Sequence, residues 1–226
     1  MADVIPLFPL SHVLMPAMPL PLHIFEPRYR QLLADVQRGP GTAAFGVVGL
    51  RGGVEVQAGN TPSVAAPPIA AVGTLAEILE VEAYEDGASD LLTVGSRRFR
   101  IRRLISDTAP YLQAEVEWLE EVDGELRPQQ VTATRRLCRE YAALLEELTG
   151  RHRESELPRD AALLSYHVAG ELPLAPEDRQ ELLEKATAAE RLERAVRLLG
   201  RELALLRATR SICVAPSVLQ LVANPN

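Results

Sequence analysis

The chain holds a single lysine, Lys185, and that fact alone narrows its chemistry. A phosphate-cradling loop needs a Gly-Lys-Ser/Thr run, and the sequence has no Gly-Lys pair. The nearest glycine spacing, Gly41 to Gly46, continues into Val47 and Val48. A serine–lysine dyad or a Schiff base would have to use Lys185, which falls among polar helix positions. No ATPase and no such dyad is recognisable. His12, His23, His152 and His167 form no i, i+4 pair and no His-Glu-x-x-His, and Cys138 and Cys213 stand far apart. Structural zinc needs four close soft ligands, and catalytic zinc needs three plus an open position, so neither a metal nor a cofactor is expected. Glu26-Pro27-Arg28-Tyr29-Arg30 places a carboxylate beside guanidinium groups, which stabilise its charge and make it a poor general base. Glu26 is expected to end a strand and cap a helix starting at Pro27, and His23, between Leu22 and Ile24, to be an oriented structural histidine. There is no Gly-x-Ser-x-Gly elbow. The expectation is a non-catalytic protein.

Two segments are better suited to binding. Pro9–Pro21 sets Val13, Leu14, Met15 and Met18 between prolines that cannot donate to a sheet ladder. Methionine adapts to varied apolar partners, so these four are the candidate substrate-binding residues, with capping of the core as the competing role. Arg97, Arg98, Arg100, Arg102 and Arg103 form the basic cluster. Read as a strand, Arg98, Arg100 and Arg102 line a solvated face opposite Phe99 and Ile101. RNA binding through this cluster is the alternative. Against it stand an aromatic content of 4% and a formal charge of −7, since single-strand binders need stacking platforms as well as positive charge.

The elements that must position these residues fall into two halves. Short apolar or alternating runs recur at Val4–Leu10, Leu20–Phe25, Ala43–Leu50, Val54–Ala58, Ala71–Ala83, Asp90–Val94, Phe99–Ile105 and Tyr111–Trp118. Gly52-Gly53 and the cluster from Glu85 to Ser89 read as hairpin turns. Many short strands with frequent Gly and Pro predict a small barrel, interrupted by one helix from Pro27 to Gly39-Pro40. After Glu121–Arg127, read as a linker open to proteolysis, the period changes to about 3.6. Helices are expected from Pro128 to Gly150, from near Pro158 to Gly170, from Pro176, and from a capping box at Thr187/Glu190. Glu190–Arg194 and Glu193–Arg197 are expected i, i+4 pairs. Residues 1–120 are thus read as a barrel, 128–210 as a helical bundle, and Ser211–Asn226 as an apolar arm.

At 226 residues and 47% apolar composition the chain can bury a proper core without staples. No run of about 20 apolar residues is present, and the start lacks a basic signal region. A soluble, cytoplasmic protein is expected, with no membrane partner.

Ordered motifs then bring a family into view. Leu7-Phe8-Pro9-Leu10 and the run from Val13 to Arg30 resemble the opening of the Lon protease amino-terminal domain. Phe45–Val48, Val72–Ile78 and Val94–Ile101 resemble its later blocks, and Leu157–Asp160, Leu172–Leu174 and Gln180–Glu184 its helical part. Ala17 stands where the family usually has glycine. The resemblance covers roughly residues 4–207 and stops before the ATPase and peptidase modules of full Lon proteases, so it points to a stand-alone substrate-binding-domain protein. It implies an α+β fold, a PUA-like β pseudobarrel followed by a helical bundle. It also implies recognition of unfolded or apolar polypeptide segments, or an adaptor role in protein quality control serving an ATP-dependent protease or chaperone. An enzyme without a recognised motif is the remaining alternative.

Overall fold

Alternation at every second residue builds the first half of the chain from strands, and heptad-like spacing builds the second from helices. The computed structural model describes residues 3–51, 68–105, 108–151 and 156–210. The expected strand at Val54–Ala58, the Gly52-Gly53 turn, His152, Cys213 and the arm Ser211–Asn226 lie outside the described residues. The chain divides into two compact units, Met1–Glu120 and Glu121–Asn226.

The first unit contains strands β1 (Asp3–Leu10), β2 (Pro19–Ile24), β3 (Ala44–Gly49), β4 (Val72–Ala83), β5 (Ser89–Ile105) and β6 (Gln113–Trp118), with helix α1 (Pro27–Arg38) between β2 and β3. The sheet order is β2-β5-β4-β3-β1-β6, and β6 also pairs with β5, which closes the sheet on itself. Only β1 and β3 run parallel among these pairs. The segments expected as two strands, Asp90–Val94 and Phe99–Ile105, are one 17-residue strand. Gly95 stays in register opposite Ala76, and irregularities in the β4 pairing absorb the bend. The first part of β5 can therefore serve β2 while the second serves β6.

Pro27 sits at the start of α1, where its missing N–H costs nothing. Tyr29, Leu32 and Leu33 of that helix join Phe8, Leu14, Leu20 and Phe45 in one core cluster, and the Phe8 and Tyr29 rings stack at 4.1 Å. Glu26 holds the N-cap position but makes no side-chain cap, and its carboxylate pairs with Arg28 at 2.8 Å instead. A second cluster gathers Ile5, Leu7, Val48, Phe99, Ala114 and Val116. A Cβ on Gly46 or Gly73 would come within 2.6 or 2.7 Å of the Phe99 ring, so these glycines make room for that side chain.

In the second unit, α2 (Pro128–Thr149), α3 (Ala161–Glu171), α4 (Pro176–Glu184) and α5 (Ala188–Thr209) form the helical part. Gly150 ends α2 in the left-handed region at φ 65°, the usual glycine stop. The Thr187/Glu190 capping box opens α5, and α5 buries Leu192, Leu198, Leu199, Leu203 and Leu206. Because Glu190 is occupied by the cap, Arg194 reaches across to Asp178 and Glu181 of α4, at 2.8 Å each, rather than pairing with it. Glu193–Arg197 does form. Residues 121–127, read as a loose linker, are tied to the start of α5. Val122 bridges Thr187, and the Ala188 and Ala189 N–H groups donate to the Val122 and Asp123 carbonyls. Glu121 accepts from the fully buried Arg191 at 2.7 Å and from Tyr166 at 2.6 Å.

Candidate functional site

Hydrogen-bond geometry along the β2–β5–β4 layer decides which groups are offered outward. In antiparallel pairs each residue turns its N–H and C=O toward the same neighbour, and successive residues alternate. Pro19 and Pro21 have no N–H, so the β2 ladder is made by Leu20, Leu22 and Ile24 opposite Thr93, Leu91 and Ser89. The other edge of β2, unpaired among the described residues, therefore carries two prolines and His23. That edge is protected against strand addition.

Residues directly opposite one another share a face. His23, Asp90 and Glu82 form one row, and Pro21, Leu92 and Glu80 the next, on the outer face. His23 Nδ1 lies 2.6 Å from Asp90 Oδ1, and the Tyr84 hydroxyl donates to Asp90 Oδ2 at 2.7 Å. Phe25 packs on the other side of His23, with ring centroids 5.9 Å apart, and is 58% exposed. The bond from His23, then that from Tyr84, holds the Asp90 carboxyl below the usual carboxylate range. Asp90 in turn pushes the Tyr84 phenol up to about 12. A carboxylate is thus shared between an imidazole and a phenol beside an exposed phenylalanine. Among the described residues no serine, cysteine or lysine side chain is bonded to His23, and the Phe25, His23 and Tyr84 rings form an aromatic platform fixed by Asp90.

The structure encloses three of the four sequence-derived contact residues. Val13 is 4% exposed, Leu14 2% and Met15 1%, while Met18 is half-buried against the core cluster. Thr74 donates to the Leu14 carbonyl at 2.7 Å, the Ala17 N–H donates to the Gly95 carbonyl at 2.8 Å, and the Gly95 N–H donates to the Met18 carbonyl at 2.9 Å. Ala17 adopts φ 62°, the conformation glycine would take most easily. A contact role for Val13, Leu14 and Met15 would require them to leave this interior.

The arginine cluster is not a uniform solvated face. Arg98 is enclosed at 1% exposure, on the row of Thr74, because the bends of β5 turn that row inward. Arg97 lies over the Trp118 ring, Arg102 pairs with Glu117 and Arg103 with Glu115. Acids of β6 thus offset the positive charge on which RNA binding would depend. Elsewhere, an open hollow of about 340 Å³ lies along α2 at Pro128, Gln129, Thr132, Ala133 and Arg136. Among the described residues no group of three or more His, Cys, Asp or Glu side chains is placed to hold a metal ion, and no helix is long and apolar enough to cross a membrane.

Residues 4–201 match the family described as the ATP-dependent protease La (LON) substrate-binding domain. The chain belongs to this family. A Lon protease of Cytophaga hutchinsonii is 27% identical over 221 residues, which cover 93% of this chain and 26% of that protein. Lon protease 2 of Thermus thermophilus is 34% identical over 148 residues, 62% of this chain and 18% of that protein. The chain spans about a quarter or less of the length of these relatives. Among solved structures, a Lon N-terminal domain protein from Xanthomonas campestris is 32% identical with a TM-score of 0.63, covering 88% of this chain and 98% of that one. The N-terminal domain of a Mycobacterium avium complex Lon protease shares the fold at 17% identity and a TM-score of 0.60. The Lon-type α+β architecture expected from the sequence motifs is the one found. What those motifs did not single out is the outer platform of Phe25, Tyr84 and Asp90. The signal available was slight: Phe25 breaks the alternation of β2, and Tyr84 opens an acidic turn.

Proposed function

We propose that this Lon substrate-binding-domain protein is a non-catalytic polypeptide-recognition module that reads unfolded or damaged segments. In this reading it acts in cytoplasmic protein quality control, as a receptor or adaptor for an ATP-dependent protease or chaperone. The observation that carries the reading is the exposed apolar surface at the β4–β5 hairpin end of the first unit. Phe25 and Tyr84 there, each in ring contact with His23, are 58% and 41% exposed. Large apolar side chains grouped on a surface mark a contact site more often than a bare solvent face. Fixing by Asp90 lowers the entropy lost when Tyr84 meets a partner. The polypeptide-recognition role of the family supports the same reading. Met18 is the member of the Pro9–Pro21 set with side chain still accessible, and it is proposed to contribute at the margin.

The test is fluorescence anisotropy of a labelled, permanently unfolded polypeptide titrated with the protein, with its folded counterpart as control. Saturable binding to the unfolded form alone is expected, weakened by Phe25→Ser with no change in melting temperature. Absence of binding to the unfolded form would overturn the reading. Met18→Gln should weaken binding at constant melting temperature, and a loss of stability would assign Met18 to the core.

A further inference from the structure

The free edge of the sheet on the β4 side differs from that of β2. Pairing between β3 and β4 runs from Thr74 to Glu77, and the Ile78 N–H still donates to the Ala43 carbonyl at 2.9 Å. Beyond Ile78 the strand continues to Ala83 with β5 as its neighbour and, among the described residues, no strand paired on its other side. Leu79, Glu80, Val81, Glu82 and Ala83 are all exposed. The hairpin fixes which backbone groups face outward. The Tyr84 N–H donates to the Ala88 carbonyl at 2.9 Å, so Tyr84, Glu82 and Glu80 turn toward β5. Val81 and Ala83 therefore turn their N–H and C=O groups to the open edge. No proline guards it. Such an edge is a template for one more strand.

The side chains flanking this edge alternate in chemistry. Glu80 and Glu82 stand on the outer face, in the rows of Leu92 and Asp90, and among the described residues neither has an ion-pair partner. Val81 and Ala83 stand on the opposite face, in the rows of the buried Leu91 and Ser89. From Glu80 to Leu92 the chain has five carboxylates and no lysine or arginine. Arg30, which donates to the Asp86 carbonyl, is the guanidinium brought to the turn.

We propose that the free edge of β4, Leu79–Ala83, accepts an added strand from a polypeptide in which Lys or Arg alternates with apolar residues. The basic side chains lie over Glu80 and Glu82, and the apolar ones extend the face of Val81. This deepens the polypeptide-recognition reading and rests on it. Main-chain bonds to Val81 and Ala83 supply affinity without demanding a particular sequence, and the alternation of charge supplies the preference.

The probe is a short fluorescein-labelled peptide of alternating lysine and valine between glycines, titrated with the full chain. Its counterparts replace lysine by glutamate or methylate the backbone nitrogens. Val81→Pro is the informative variant. It removes an outward N–H and leaves the β5 ladder its donors, as edge proline does. Binding of the Lys/Val peptide is expected, at least about tenfold tighter than binding of the glutamate or N-methyl counterparts. Val81→Pro and the Glu80→Lys/Glu82→Lys pair should each weaken it about tenfold or more at unchanged melting temperature. Should Val81→Pro destabilise the protein, the N-methyl peptide still decides the matter on the unaltered chain. Equal binding of the N-methyl or glutamate peptide, or no binding of the Lys/Val peptide, would overturn the inference. If the unfolded polypeptide still binds in that case, the general reading survives alone; if neither probe binds, both fail.

Discussion

The carbonyl oxygen of Met15 lies 2.3 Å from where a Cβ on Gly95 would stand, too close for any side chain there. The proline-rich loop and the middle of β5 are held together by the absence of a side chain, and the Ala17 N–H and Gly95 carbonyl complete the lock at 2.8 Å. The contact is with rigid backbone, so nothing flexible can yield. Gly95→Ala is expected to cost on the order of 3 kcal/mol, the upper part of the usual overpacking range. Urea unfolding monitored by circular dichroism measures it, and a cost under about 1 kcal/mol would show that the loop can lift away.

The same turn carries a correctable strain. Ala17 at φ 62° bears the left-handed penalty of about 1–2 kcal/mol for a residue with a Cβ. Glycine relieves that penalty but loses roughly 0.4–1 kcal/mol through a freer unfolded chain. Ala17→Gly should therefore stabilise the first unit by about 0.5–1 kcal/mol, visible as a higher urea midpoint at unchanged slope.

Much of this architecture is local, which is why it is legible in the sequence. Pro27 starting α1, Gly150 ending α2 and Thr187/Glu190 boxing α5 are decided by neighbours a few residues away. What was not legible depends on distant partners. Alternation assigns Arg98 and Arg100 to one solvated face, but irregular pairing with β4 and β6 encloses Arg98. Composition makes Glu121–Arg127 look like a linker, yet Glu121 finds Arg191 seventy residues on. Prolines around Val13, Leu14 and Met15 leave open whether the loop is a contact surface or caps the core, and bonds from Thr74 and Gly95 draw it inward. The open edge at Leu79–Ala83 exists because β4 outruns β3, a difference in length that no single segment reveals.

Arg191 concentrates the stability of the second unit. Its guanidinium donates to Glu121, to Ser165 at 2.9 Å and to the Lys185 carbonyl at 3.3 Å, and it lies 4.2 Å above the Tyr166 ring. Removing the Glu121 carboxylate takes a counter-charge from a buried cation. Full enclosure would make that loss about 3–5 kcal/mol. Glu121 keeps 41% of its side chain in water, so Glu121→Ala should cost less, about 2 kcal/mol. Thermal unfolding of the variant tests this, and an unchanged melting temperature would show that the remaining bonds hold Arg191 by themselves.

The Asp90 bonds make a pH signature with a definite sign. Bonding to His23 and then Tyr84 depresses the Asp90 pKa in the folded state. The stabilisation is therefore fully present above the unfolded value of about 3.9, and is lost as pH falls through the depressed folded value. Asp90→Asn should flatten that part of the acid stability profile. It should also bring the Tyr84 phenol down from about 12, because the bond to Asp90 is the main cause of its elevation. Phenolate absorbance, with Tyr84→Phe to identify the signal, reads the second effect. A Tyr84 titration unmoved by Asp90→Asn would sink the account of the platform.

The two edges of the β2–β5–β4 layer should respond oppositely to proline. On β2, Pro19 and Pro21 occupy the outward positions, and replacing both by threonine restores two donors that no β5 residue can use. An unguarded edge pairs with whatever strand arrives, including the same edge of a second copy. The Pro19→Thr/Pro21→Thr variant is therefore expected to self-associate in a concentration-dependent way, followed by light scattering. Adding Val81→Pro to it should not reverse that association, since the new contacts form on the other edge. If Val81→Pro does abolish it, the copies are joining through β4, and the prolines of β2 are not what keeps the chains apart.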